Sequence, residues 1–180
     1  MSRHILTGAP GAGKTIILRG LERAGLAVVE EAATDVIAWA QATGDEAPWE
    51  APGFCDAILA LQQQREAGAP PGPVVFDRSP VCTLALSRFL GRQPSAALQQ
   101  AAADCRARYA GAVFFVESLA TLVNTAARRI TLEEALRFGA LHRQVYTDLG
   151  FQLIDVPAGP PVVRRDLVLA GLSRGGNHVP

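Results

Sequence analysis

The sequence predicts an α/β fold, a three-layer α/β/α domain in which helices cover both faces of a five-stranded parallel sheet. Three observations predict it. Five short apolar runs lack the polar alternation of a half-solvated sheet, the mark of strands buried on both faces. Helical segments separate those runs in regular alternation. The first run ends in a glycine-rich loop that opens directly into a helix. With 180 residues, the chain suffices for one domain with a buried core and is too short for two ordinary ones.

Each element follows from its residues. Arg3 to Thr7 reads as a short buried strand, and Gly8-Ala-Pro-Gly-Ala-Gly-Lys-Thr15 as the loop after it. A helix through Ile16, Ile17, Leu18 and Leu21 stops at Gly25, the residue type that best ends a helix. Leu26 to Glu31 is a second apolar strand running into two carboxylates, and Ala32 to Thr43 is helical. Gly44 to Gly53 is a connection punctuated by proline and glycine and containing Trp49. Phe54 to Ala67 is a helix whose glutamines and Arg65 mark an exposed face. After a stiff turn from Gly68 to Pro73, Val74-Val-Phe-Asp77 is a β-branched and aromatic strand ending in an acid. Helices span Val81 to Leu90 and Ser95 to Tyr109, with Gly91 to Pro94 between them, and Ala112 to Val116 is the fourth strand. A short helical piece and the pair Arg128-Arg129 precede a helix from Leu132 to Leu149, opened by a Thr131/Glu134 capping box. Phe151 to Val156 is the fifth strand and Val162 to Leu172 the closing helix. Residues 1–173 form the domain and 174–180 a flexible tail, with fraying from Ser173.

Composition limits the function. Hydrophobic residues make up 49% and charged residues 19%, a globule's balance. Seventeen basic residues match seventeen acidic ones, so no global field recruits nucleic acid or an anionic membrane, and any anion site is local. No run of 18 apolar residues argues for membrane insertion, and the N-terminus lacks a signal core, so a cytoplasmic location is expected. Cys55, Cys82 and Cys105 are odd in number and widely spaced, which reads as buried reduced thiols. Of the seventeen basic residues only Lys14 is lysine. A compact ammonium on a flexible stem reaches into a phosphate cradle where a broad guanidinium fits poorly.

Lys14 belongs to Gly8-x-x-x-x-Gly13-Lys14-Thr15, a full match to the phosphate-binding loop pattern, set between a strand and a helix as that pattern requires. Glycines let main-chain N–H groups converge on phosphate oxygens, and the helix start adds partial positive charge. Nucleotide contacts are therefore expected from Gly8, Ala9, Pro10, Gly11, Ala12, Gly13, Lys14, Thr15 and Ile16. Lys14 would bridge the β- and γ-phosphates of ATP, and the Thr15 hydroxyl would ligate Mg²⁺.

Further candidates sit at later strand ends. Asp77 closes a hydrophobic strand, a position from which a carboxylate holds Mg²⁺ through water or helps deprotonate a hydroxyl. Arg78 either places a cation where acceptor or phosphate anions would lie or simply pairs with a neighbouring carboxylate. Glu30 and Glu31 end the second strand, where ligands of such sheets bind. Neighbouring strand residues point to opposite faces, so one of the two faces the acceptor while the other caps the next helix, unless both merely cap. Arg128 and Arg129, just before a capped helix, suit a lid that closes over the triphosphate and steadies charge in transfer. His142 lies among apolar neighbours in mid-helix and reads as structural, while nothing supports a role for His4 or His178.

The chain resembles a family of small P-loop proteins, the AAA-domain ATPases or kinases related to the ribosylnicotinamide-kinase-like and nucleoside-kinase-like group. The resemblance rests on Gly8 to Thr15, Val28-Val-Glu-Glu-Ala32, Phe76-Asp-Arg-Ser79, Arg128-Arg129 with Glu133-Glu134-Ala135, and Tyr146 through Val156. It implies a nucleoside-kinase-like P-loop NTPase fold with an arginine-bearing lid, Glu30 or Glu31 beside the acceptor, Asp77-Arg78 at the catalytic edge, and Pro157 to Pro161 passing the adenine. The chain departs from the family at Thr125, Ala126 and Ala127, where its members carry more acid. It leaves no room for the second helical domain of a ring-forming motor, and it lacks the Asn-Lys-x-Asp motif that reads guanine.

The expected function is a kinase that transfers the γ-phosphate of ATP·Mg to a hydroxyl of an unidentified small molecule, nucleoside-like or another metabolite. The alternative is a nucleotide-dependent switch ATPase acting through a protein or lipid partner. The second acidic strand end favours the kinase, because a plain switch has no need of it.

Overall fold

Parallel strands bury both faces only if alternate side chains enter two separate cores, and that is what the sheet does. The computed structural model describes residues 3–118 and 131–175. Its strands are β1 (Arg3–Gly8), β2 (Ala27–Val29), β3 (Val74–Asp77), β4 (Ala112–Val116) and β5 (Gln152–Val156). They form one sheet in the order β2-β3-β1-β4-β5, every neighbouring pair parallel. Ile5, Val74, Phe76 and Val113 point into one core, and their neighbours Leu6, Val75, Phe114 and Val116 into the other. The middle strands are buried almost throughout, whereas the edge strands β2 and β5 are part-exposed.

Among the described residues, seven helices supply the outer layers: α1 (Lys14–Arg23), α2 (Ala32–Ala42), α3 (Phe54–Ala67), α4 (Pro80–Phe89), α5 (Ala96–Arg108), α6 (Leu132–Asp148) and α7 (Pro161–Gly175). On one face Ile17, Leu18 and Leu21 of α1 pack with Val168 of α7. On the other lie Ile58 of α3, Val81 and Leu84 of α4, Leu98 of α5, and Phe138 and Tyr146 of α6. Burying each such side chain contributes about 1.5–3 kcal/mol before entropy is counted.

Local chemistry sets the helix ends. Ser79 and Ser95 cap α4 and α5 through Val81 N–H (3.3 Å) and Leu98 N–H (3.1 Å). The Thr131/Glu134 capping box forms as expected, with Glu134 N–H donating to Thr131 Oγ1 (3.2 Å) and Thr131 N–H to Glu134 Oε2 (2.8 Å). At the end of α1, Gly25 takes φ +90° so that its own N–H reaches Glu22 O (2.9 Å) and Leu26 N–H reaches Leu21 O (3.2 Å).

Some boundaries differ from expectation. The second strand ends at Val29, before the two glutamates, because Arg65 of α3 donates to the carbonyls of Glu30 (3.0 Å) and Glu31 (2.8 Å) and takes them out of the sheet. The closing helix runs on to Gly175 rather than ending at Leu172, with Ser173 Oγ donating back to Leu169 O (3.1 Å). Pro48–Glu50 inserts one 3₁₀ turn into the connection around Trp49. Cys55, Cys82 and Cys105 are buried and unbridged, as expected. Among the described residues, no helix is long and apolar enough to cross a membrane.

Candidate active site

The strand order reverses between β1 and β4, and the loop after β1 sits at that reversal, where ligands of open α/β sheets bind. The loop's root requires glycine. At Gly8, φ is +141° and a Cβ would lie 2.2 Å from the Val116 carbonyl oxygen on β4. Ala9 and Ala12 are buried, Ala12 N–H turns back onto Ala9 O (3.3 Å), and Gly13 stands left-handed at the N-cap of α1. Lys14 is 4% exposed, and its Nζ donates to Gly8 O (3.2 Å) and Ala9 O (3.0 Å), which holds the ammonium over the loop it belongs to. Thr15 and Ile16 are exposed at the start of α1, while Pro10 and Gly11 are half-buried.

Sequence reasoning missed the residue that ties this loop down. Arg164, at the start of α7 and 3% exposed, donates through one Nη to Ala12 O (2.8 Å) and through the other to Glu117 O beyond β4 (2.8 Å). Burial lowers its pKa, with Glu117 opposing the shift, yet a guanidinium keeps its charge at any ordinary pH. No local pattern distinguishes Arg164 from Arg165 beside it.

Asp77 and Arg78 stand where expected, at the carboxyl end of β3. Asp77 is buried and pairs in register with Leu6, next to the root of the loop. Arg78 holds φ +74°, a left-handed conformation that costs a side-chain-bearing residue about 1–2 kcal/mol. Its N–H to Leu6 O (2.9 Å) and an ion pair from its Nε to Glu31 Oε1 (2.6 Å) hold it there. Arg78 is buried and Glu31 nearly so, at 7% and 11% side-chain exposure. Burial alone would pull the Arg78 pKa down, but Glu31 foremost, then Cys82 and Asp77, raise it above its ordinary value.

The two glutamates point apart, but they lie beyond the end of β2, so the strand pleat does not set their directions, and neither side chain caps α2. Glu31 occupies the N-cap position, but its carboxylate meets Arg78 and accepts from Thr34 Oγ1 (3.1 Å). Glu30 turns outward to Arg19. Arg128 and Arg129 lie outside the described residues, as do the short helical piece before them and the tail beyond Gly175.

Beneath the loop lies a polar network. Thr7 Oγ1 is 3.1 Å from Cys82 Sγ and 3.2 Å from His142 Nε2, and Tyr146 OH joins Cys82 Sγ (3.1 Å) to Ser79 Oγ (2.8 Å). His142 is fully buried and stacks on Phe138 at 5.0 Å between ring centroids. Burial, then Arg78 and Lys14, hold it well below the usual histidine range, and burial with Cys82 holds Tyr146 well above the usual tyrosine range. Both rings are thus neutral, in keeping with a structural histidine.

Beside Pro10 opens a cavity of about 300 Å³ whose wall includes Glu31, Thr34 and Arg78. Trp49, Phe54, Ile58, Leu86, Phe89 and Phe138 make it mostly apolar. Thr83 Oγ1 donates to Gln62 Oε1 (2.9 Å) and gives it a second polar spot. These residues come from four helices and one turn, so only their convergence reveals them.

The donors for a metal are few. Among the described residues, no three His, Cys, Asp or Glu side chains cluster as a metal site. An exposed Thr15 hydroxyl and a buried Asp77 fit a magnesium ion that brings its other ligands with it as phosphate oxygens and water.

Comparisons with known proteins agree with this architecture. A family model described as an AAA domain matches residues 3–164. No curated protein matches the chain. Among solved structures, deoxyadenosine kinase from M. mycoides with its products dCMP and dCDP superposes with a TM-score of 0.62 at 10% identity, over 96% of this chain and 98% of that one. The same enzyme with dCTP gives 0.58 at 13% identity, over 97% and 100%. Thymidylate kinase from Candida albicans gives 0.55 at 13% identity, over 99% and 93%. The fold is that of nucleoside and nucleotide kinases.

Proposed function

The chain belongs to the AAA-domain family, and from that premise we propose that it is a small-molecule kinase that transfers the γ-phosphoryl group of ATP to an acceptor hydroxyl. One observation carries the reading: a phosphate-binding loop and the largely enclosed Glu31–Arg78 pair border the same cavity. A nucleotide switch needs the loop and has no use for a walled pocket with a carboxylate at its edge.

The roles follow from placement. The loop amides and Lys14 bind the triphosphate, the Lys14 ammonium exchanging its carbonyl partners for phosphate oxygens. Thr15 and Asp77 would hold magnesium, which would neutralise charge on the phosphates. Of the three carboxylates weighed from sequence, Glu31 is best placed to orient the acceptor, because it borders the cavity whereas Glu30 is held outside by Arg19. The acceptor oxygen forms its bond to the γ-phosphorus while the bond to the β,γ-bridging oxygen breaks. The hydroxyl proton passes to the Glu31 carboxylate, and ADP departs with the bridging electron pair. Arg78, with Arg128 or Arg129, balances the transferring charge. Chemistry of this kind asks mainly for positioning and electrostatics.

Calorimetry with ATP and Mg²⁺ tests the nucleotide half. Lys14→Ala should weaken binding at least tenfold with the fold intact by circular dichroism, and unchanged affinity would remove the loop from the mechanism. Glu31→Gln should lower turnover by about 10²–10⁴, the usual share of a general base, with ATP affinity within about twofold. Wild-type turnover in that variant would transfer the role elsewhere.

A further inference from the structure

The lining of the cavity limits what the acceptor can be. Three charged side chains border it: the carboxylates of Glu31 and Glu134 and the guanidinium of Arg78, which Glu31 already engages at 2.6 Å. Hydrogen bonds from the Thr131 backbone and side chain lower the Glu134 pKa, so that carboxylate stays ionised. Among the described lining residues, negative charge therefore exceeds positive by one. A phosphate or carboxylate on the acceptor would meet repulsion there and lose its hydration against aromatic walls.

The rest of the wall is apolar apart from the Gln62–Thr83 pair and the Glu31–Thr34–Arg78 corner. In the pair, Thr83 donates to the Gln62 carbonyl, and the Gln62 NH2 group can donate to a ligand. At about 300 Å³ the space lies at the low end for small-molecule pockets, which run from about 300 to 1,000 Å³. We propose that the acceptor is a small, uncharged and predominantly apolar alcohol with one hydrogen-bonding group. Its hydroxyl lies at Glu31, its ring or branched body between Trp49, Phe54 and Phe138, and its single polar group at Gln62 and Thr83. This narrows the kinase reading above and rests on it. In the transfer the neutral alcohol gains the phosphoryl group, loses its proton to Glu31 and leaves as a phosphate monoester dianion. Once Glu31 has returned that proton to solvent, the product meets the same surplus of carboxylates, which favours release.

The test is a phosphorylation panel with ATP and Mg²⁺. It comprises benzyl alcohol and two-ring aromatic alcohols with and without a carboxamide, their carboxylate analogues, adenosine, thymidine, and the nucleoside monophosphates AMP and dTMP. The uncharged aromatic alcohols should be turned over, those bearing a carboxamide best, with kcat/KM at least tenfold above any carboxylate or monophosphate. Paired Gln62→Leu and Thr83→Val substitutions should lower kcat/KM for the carboxamide-bearing alcohols to that of the plain ones. Glu134→Gln, which keeps a side chain able to complete the capping box, should raise relative activity on carboxylate analogues. A nucleoside or monophosphate preferred over every aromatic alcohol overturns the proposal and leaves the kinase standing. Intact ATP binding by calorimetry with no panel alcohol phosphorylated overturns this proposal alone, whereas lost ATP binding overturns the kinase reading beneath it.

Discussion

Arg78 carries more of the site than its charge. Its φ of +74° is strained, and the residue persists there because its N–H, its guanidinium and the Ser79 cap that follows are all engaged at once. The ion pair with Glu31 is nearly closed to water, so removing either partner leaves a buried charge without its counterion. Arg78→Ala should therefore cost about 3–5 kcal/mol, the usual penalty for breaking a buried pair from one side. Adding Glu31→Gln to Arg78→Ala should recover part of that loss. Urea denaturation of the two single variants and the double variant measures the coupling, and simple additivity would mean the pair contributes nothing jointly. At this scale the sequence was readable where a motif states the chemistry, as in Gly8 to Thr15. It could not reveal that Glu31 pairs with Arg78, 47 positions along the chain, because a strand-end acid reads equally well as a helix cap.

At the scale of elements, α7 does more than cover one face of the sheet. Arg164 at its start gives one hydrogen bond to the phosphate-binding loop and another beyond β4, so the position of α7 and the shape of the loop are linked. Arg164→Ala strips both carbonyls of their donor inside the protein, at about 1–3 kcal/mol for each group left unsatisfied. ATP affinity should fall, and amide exchange across residues 9–15 should speed up. Arg164→Lys, with a single point of donation, should restore only part of either. Exchange unchanged in the loop would show that α7 merely packs. The elements themselves were legible from apolar runs and punctuation: among the described residues, the five strands and seven helices lie within a few residues of where those patterns place them. Errors fell where tertiary contacts override local pattern. Arg65 ends β2 early by taking two carbonyls that the apolar run alone would leave in the sheet. Fraying was expected from Ser173, yet that residue is helical, its hydroxyl donating back to Leu169 O.

Across the whole molecule, the two cores differ in what they enclose. The core shared by α1 and α7 is aliphatic apart from Phe114, while the larger one reaches the polar network under the loop, His142 included. The acceptor cavity opens on that larger side, and its lining was invisible beforehand because α2, α3, α4, α6 and the 3₁₀ turn each contribute only a few residues to it. Enclosing a neutral imidazole there has a consequence for stability. In the unfolded chain His142 titrates near its ordinary value of about 6.5, whereas in the folded protein burial, then Arg78 and Lys14, hold it well below. At any pH between those two values the unfolded state binds a proton that the folded state refuses. Stability from this group is complete above about pH 6.5 and falls as the pH drops toward the folded value, by at most about 1.4 kcal/mol per pH unit. His4, also lowered by burial, adds to the trend in the same direction. Urea denaturation at pH 7.5, 6.5, 5.8 and 5.2 should show that decline in the wild type. His142→Gln, which cannot titrate, should lose stability less steeply over the lower three points, and the two curves should run parallel between pH 7.5 and 6.5. Parallel curves over the whole range would mean that the imidazole takes up its proton as readily in the folded protein as in the unfolded chain, and that the pocket beneath the loop is open to water.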